Sequence, residues 1–173
     1  MTVASSYETV AVDRPLPASL EAERAILGAI LVDEACWPEA AGRLAEDDWF
    51  RDAHRRIWIA MQRMVTRGMA LDLVTLRDAL VASGDLDEVG GPAYLASLTD
   101  GMPRGANVAH YARIVKEKAR LRAVVRAGAQ LMTLAYDLEA ANEVIEAGVR
   151  DLLALAIAPD SGAVLVASIV GDY

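Results

Sequence analysis

Apolar residues return every three or four positions along most of this chain, and two-residue alternation is sustained nowhere. The first spacing belongs to amphipathic helices and the second to strands, so the chain is expected to be all-α. Ile26, Leu27, Ile30 and Leu31 mark one face of a helix from Leu20 to about Val32, with Ser19 as its candidate N-cap and Glu21 and Glu23 in its first turns. Pro38 suits the first turn of a short helix ending near Leu44. Ile57, Met61, Met64 and Val65 predict a longer helix over 53–66, closed by Gly68. Asp72 or Thr75 starts the next, which carries Val74, Leu76, Leu80 and Val81 and stops at Gly84. In "EVGGP" a turn hands over to a helix-initiating proline, and a short helix follows through Tyr94, Leu95 and Leu98 until 102–105 breaks it.

The last third has a different rhythm. From Asn107, a candidate cap, no proline interrupts the chain until Pro159. A break near Asp137 divides this stretch into a helix of about 30 residues, on the order of 45 Å long, and a second of about 18. Ile114, Leu121, Val125, Gly128 and Met132 form one seam; Ala141, Ile145, Gly148, Leu152 and Leu155 form the other. Folded antiparallel about residue 138, paired positions sum to about 276, which sets Gly128 against Gly148 and Leu121 against Leu155. A glycine inside a helix costs roughly 1 kcal/mol relative to alanine. Two at one level predict a close approach of the axes there. The expected organisation is a mobile arm over 1–18, a small globular helical bundle over 19–105, a long antiparallel helical hairpin over 106–158 and the start of a linker over 159–173.

Composition narrows the function classes. The 54% of hydrophobic residues suffices for a buried core, and no apolar run approaches the roughly 18–20 residues of a membrane span. The start lacks the basic-then-apolar layout of a secretory signal, and the lone Cys36 excludes an internal disulfide; both point to the cytoplasm. Net charge is −8, yet seven basic residues against Glu117 alone lie between Arg104 and Arg126. That segment carries +6 and leaves −14 elsewhere, an asymmetry that bears on partners rather than on fold. Arg113, Lys116, Arg120 and Arg122 are the candidate partner surface, as exposed members of this run.

Catalytic chemistry is not legible. No Gly-Lys pair occurs, so a phosphate loop is absent from this sequence. His54, His110 and Cys36 lie too far apart in sequence for zinc-site spacing, so no metal or cofactor ligand is assigned. Each histidine reads as a partly exposed helix residue and Cys36 as a small buried hydrophobe beside Trp37. "EDD" at 46–48 reads as a solvated turn. Trp37, Trp49, Phe50 and Trp58 read as core rather than as base-stacking platforms, because Glu46, Asp47, Asp48 and Asp52 surround them.

Five motifs in order resemble the N-terminal domain of bacterial replicative helicases of the DnaB family. They are "LPASLEAERAILGAIL" (16–31), "DDWFRDAHRRIW" (47–58), "LDLVTLRDAL" (71–80), "DEVGGPAYLASL" (87–98) and "ANVAHYARIVKEKARLR" (106–122). The tail "GAVLVASIV" is similar to the beginning of that family's linker, and Ala53 stands where the family often has proline. The resemblance implies a non-catalytic domain that assembles a ring, as dimers or a hexamer joined through the hairpin. It further implies docking of the primase C-terminal domain, with a helicase loader as a further candidate partner. ATP and magnesium would belong to a motor domain beyond the linker, and DNA would not be held strongly by these residues. A stand-alone regulator wearing the same collar, or a nucleic-acid-binding module built on 113–126, are the competing readings.

Overall fold

A computed structural model describes residues 14–102, 107–137 and 140–157. Within them the chain forms seven α-helices and no strand. They are α1 (Leu20–Val32), α2 (Trp37–Ala41), α3 (Asp52–Thr66), α4 (Leu73–Ser83), α5 (Gly91–Leu98), α6 (Val108–Asp137) and α7 (Ala141–Ile157). The first five make a bundle against the N-terminal half of α6, and α6 with α7 makes the antiparallel hairpin. Residues 1–13 of the expected arm, the 138–139 turn and the expected linker lie outside the described residues.

Local chemistry accounts for most helix ends. Asp72 caps α4 by accepting from the amides of Val74 at 2.8 Å and Thr75 at 3.0 Å, while Thr75 Oγ1 accepts from the Asp72 amide. Gly84 ends α4 with φ 79°, the left-handed conformation that a residue without Cβ adopts freely. Asn107 Oδ1 caps α6 through the amide of His110 at 3.0 Å. Ser19 departs from expectation: its hydroxyl makes no capping bond, and its carbonyl accepts from the Glu23 amide instead. The reason is conformational, since φ −141° and ψ 85° keep Ser19 outside the helix without aiming its side chain at the first turn.

The core is the predicted one. Ile26, Leu27 and Ile30 of α1, Ile57 and Met61 of α3, Leu76 and Leu80 of α4 and Leu95 and Leu98 of α5 are fully enclosed. Val74 and Val81 differ, standing well exposed on the outer side of α4. Trp58 stacks between Trp37 and Trp49, with ring centroids 4.5 and 5.1 Å away. Trp49 and Trp58 are buried as expected, whereas Trp37 is half-buried and Phe50 exposed. Cys36 too is only half-buried. Gly28 lets α1 run directly under the end of α5, because a Cβ there would collide with the Leu98 carbonyl.

The bundle also encloses a polar cluster. Glu23 is 1% exposed and its carboxylate accepts from the amide of Phe50 at 2.8 Å, the amide of Arg51 at 3.4 Å and His54 Nδ1 at 2.7 Å. The other imidazole nitrogen, Nε2, lies 2.6 Å from the Tyr94 hydroxyl, whose oxygen also accepts from Arg51 at 3.0 Å. The bonding pattern is complete with a proton on Nδ1 and with Tyr94 donating to Nε2. His54, expected partly exposed, is therefore buried; a carboxylate from another helix compensates its ring, which helical spacing within α3 cannot reveal.

Two outcomes follow. Gly28→Ala should lower stability by about 1–3 kcal/mol, read from chemical denaturation, because backbone at Leu98 cannot yield as a flexible side chain does. Glu23→Ala should cost about 3 kcal/mol or more, since two amides and an imidazole lose their acceptor at once, and His54→Ala should cost less. Unchanged thermal unfolding in Glu23→Ala would remove the cluster's claim to hold the bundle together.

Candidate assembly surface

The candidate basic residues do not form one surface. Arg122 is 2% exposed: its guanidinium donates to the carbonyls of Pro17 at 3.0 Å and Asp48 at 2.6 Å and lies over the Phe50 ring. Burial pulls its pKa below the usual arginine value, yet two buried carbonyls and the nearby Glu23 carboxylate compensate the charge. Lys116 reaches Asp48 Oδ2 at 2.8 Å, and Asp48 in turn accepts from the Ala45 amide at 2.7 Å. The "EDD" turn is therefore a buried anchor at Asp48 rather than a solvated loop. Only Arg113 and Arg120 of the four stand exposed, as sequence reading expected for all.

Arg122 and Lys116 thus join the hairpin to the bundle. Arg122, Val108, Ala112 and Val115 are buried along α6, recurring at helical spacing on the side that meets α1. Pro17 is the nearest described part of the expected mobile arm, and Arg122 ties it down. A lone arginine within a basic run gives no sign that its partners will be two distant carbonyls. That is why these residues read as solvent-facing.

Farther along α6 the helix turns another side to α7. Ala127 is buried and Leu131 half-buried there, and Gly148 of α7 is buried directly under the Leu131 side chain. The expected meeting of Gly128 with Gly148 does not occur. Gly128 is exposed, with nothing within 4 Å of where its Cβ would stand. The inter-helix register is set by Leu131 against Gly148, so paired positions sum to 279 instead of about 276. The seam consequently runs through Ala127 and Leu131, neighbours of the expected residues, at about 100° of helix rotation per position.

That rotation leaves large apolar side chains outside. Of the seventeen exposed large hydrophobics among the described residues, ten lie on the hairpin. Leu121, Val124, Val125, Met132 and Tyr136 belong to α6, and Ile145, Val149, Leu152, Leu153 and Ile157 to α7. At about 100° per residue, each stripe centres roughly a quarter to a third of a turn from its own helix's seam. Because the helices run antiparallel, both stripes fall on the same side of the hairpin, opposite the bundle. The result is an unpartnered apolar face on a solvent-facing arm, of the kind that marks a contact surface.

No cluster of three or more metal-ligating side chains and no helix long and apolar enough to cross a membrane occurs among the described residues. Comparison with known proteins agrees with the architecture. Residues 15–117 match the family described as DnaB-like helicase N terminal domain. The replicative DNA helicase DnaB of Geobacillus stearothermophilus is 42% identical over 133 residues, covering 77% of this chain and 29% of that protein. The Bacillus subtilis replicative DNA helicase DnaC is 38% identical over 127 residues, covering 73% and 28% respectively. This chain therefore spans under a third of the length of these curated relatives. The crystal structure of the N-terminal domain of DnaB helicase from Mycobacterium tuberculosis superposes with a TM-score of 0.74 at 33% identity, covering 80% of this chain and 99% of that one. A DnaB-like replicative helicase solved for its interactions with primase shares the fold, with a TM-score of 0.65 at 21% identity over 89% of this chain and 36% of the other. The chain belongs to the family of DnaB-like helicase N-terminal domains.

Proposed function

We propose that this chain is a non-catalytic assembly and docking domain of a replicative DNA helicase, self-associating through the hairpin and offering a surface to primase. The observation that carries the reading is the unpartnered apolar face of α6 and α7. Covering a Leu, Val or Ile side chain contributes roughly 1.5–3 kcal/mol. Eight such exposed positions, with Met132 and Tyr136 beside them, favour an arm that is covered in its working state. Primase docking rests on a likeness of fold to a helicase solved with primase in view. Nucleotide chemistry, with ATP and magnesium, is assigned to a motor domain outside these residues, since no Gly-Lys pair is available to build a phosphate loop. The setting is the cytoplasm, where replication takes place.

Direct DNA binding gains no support. Lys116 and Arg122 are engaged with Asp48, and of the exposed arginines Arg113 and Arg120 share one side of α6 while Arg126 projects from another, so no broad basic surface remains.

Self-association should appear in sedimentation equilibrium at high micromolar concentration, as dimers or multiples of dimers. Val125→Asp and Ile145→Asp should each weaken it about 10-fold or more while leaving thermal unfolding nearly unchanged, because both residues face solvent in the monomer. A strictly monomeric chain with no affinity for the primase C-terminal domain would overturn the proposal.

A further inference from the structure

The outer side of α3 carries a groove that neither the core nor the hairpin uses. Ile59, Gln62, Arg63 and Thr66 recur at helical spacing opposite the buried Ile57, Met61 and Met64, and Arg67 follows where the helix ends. With Glu46, two residues before Asp48, they line an open depression of about 360 Å³. That lies in the lower part of the roughly 300–1,000 Å³ range of binding clefts. Its one apolar lining residue, Ile59, is half-buried, and the other lining residues stand exposed.

The charge on α3 is not uniform. Arg55 and Arg56 are paired with Asp52 at 2.9 and 2.6 Å, and Arg56 also with Asp85 at 2.6 Å. Arg63 and Arg67 make no ion pair among the described residues, although the chain carries 25 Asp and Glu against 17 Lys and Arg. They stand one helical turn apart, about 6 Å along the axis, which suits two carboxylates at the same spacing on another segment. A place at the C-terminal end of a helix favours cations and would by itself account for their charge. It does not account for the apolar side chain beside them or for the acceptors that share the groove. Thr66 Oγ1 donates to the Gln62 carbonyl at 2.8 Å, so toward the groove it offers an acceptor, as the Glu46 carboxylate does.

The groove thus combines two adjacent cationic donors, one aliphatic contact and two acceptors. An acidic peptide presents that set in reverse, with side-chain carboxylates, an aliphatic side chain and backbone amides. A nucleic-acid strand does not. Glu46 repels a run of phosphates, and Ile59 offers no aromatic face on which a base could stack.

We infer that the α3 groove binds an acidic peptide segment of a partner protein, with its carboxylates on Arg63 and Arg67 and an aliphatic side chain on Ile59. Opposite charge directs the encounter, and the aliphatic anchor separates this ligand from polyanions in general. The groove lies on the bundle and none of its lining residues belongs to α6 or α7, so the inference does not rest on the self-association proposed above.

The test is a titration of the ¹⁵N-labelled full chain with a synthetic peptide of about 12 residues that carries Glu, Glu and Leu each one helical turn apart. Amide shifts should concentrate at Ile59, Gln62, Arg63, Thr66 and Arg67. Arg63→Gln and Arg67→Gln should each weaken binding about 5-fold, as should high salt, while thermal unfolding stays nearly unchanged because both side chains are exposed. Replacing the peptide's Leu by Ser should weaken it about 10-fold, and Arg113→Gln on α6 should have no effect. Shifts that fall elsewhere, or equal binding of the Leu and Ser peptides, would overturn the inference. So would an oligothymidylate of about 12 nucleotides binding as tightly as the peptide, which would mark a phosphate surface instead. Sedimentation of Arg63→Gln should match that of the unaltered chain; a loss of self-association there would make the groove part of the assembly surface and overturn the inference as well.

Discussion

The carboxylate of Glu23 is the constraint around which the bundle is arranged. It leaves α1 on the core side, where an isolated charge would be prohibitively costly, and is tolerated because three donors converge on it. Two are the amides of Phe50 and Arg51, the stretch that leads into α3, and the third is His54 in the first turn of that helix. His54 passes the constraint to Tyr94, so α5 is fixed to α3 by the hydroxyl and by Arg51 lying over the same ring. One acidic side chain thereby sets the mutual position of three helices. The apolar core around Ile26, Ile57 and Leu95 then fills the space they define.

The same corner of the bundle determines how the hairpin leaves it. Phe50 and Asp48 lie within three residues of each other, and both meet Arg122: its guanidinium bonds the Asp48 carbonyl and covers the Phe50 ring. Lys116, about a turn and a half earlier on α6, holds the Asp48 side chain. The four buried charged or polar residues, Glu23, Asp48, His54 and Arg122, thus lie on one continuous path from the interior of α1 to the middle of α6. Replacing such a path with apolar side chains would bury more hydrophobic area. Directional bonds instead specify which way the arm points.

How much of this the sequence disclosed follows from the range of each interaction. Helices and caps depend on residues within about four positions, and α1, α3, α4, α5 and α6 begin and end close to where their own side chains predict. The family was legible for the same reason, as its motifs are runs of local pattern. His54 and Arg122 were misread because Glu23 lies 31 positions from the one and the two carbonyls 74 and 105 positions from the other, and nothing nearby distinguishes a compensated side chain from a solvated one. Asp48 was misread likewise, as one of three consecutive acids of which only its side chain turns inward. At the hairpin the periodicity was right and the phase was not. Leu121, Val125 and Met132 recur at three-four spacing because they form a real stripe, but helical spacing cannot say which of two adjacent stripes faces the neighbouring helix.

The phase carries the functional meaning. A hairpin built to stand alone would turn its larger apolar side chains inward, since burial grows with area. Here Ala127 and Gly148 occupy the closed side, and Leu121, Val124, Val125, Met132, Ile145 and Leu152 the open one. Small residues within the seam let α6 and α7 approach closely, with the Leu131 side chain resting on Gly148, so the pair holds together while spending little of its hydrophobic surface. The remainder is available to a second surface of matching length. Sequence periodicity placed that stripe in the seam between α6 and α7, whereas the structure turns it to solvent, on the side that the proposed self-association would cover.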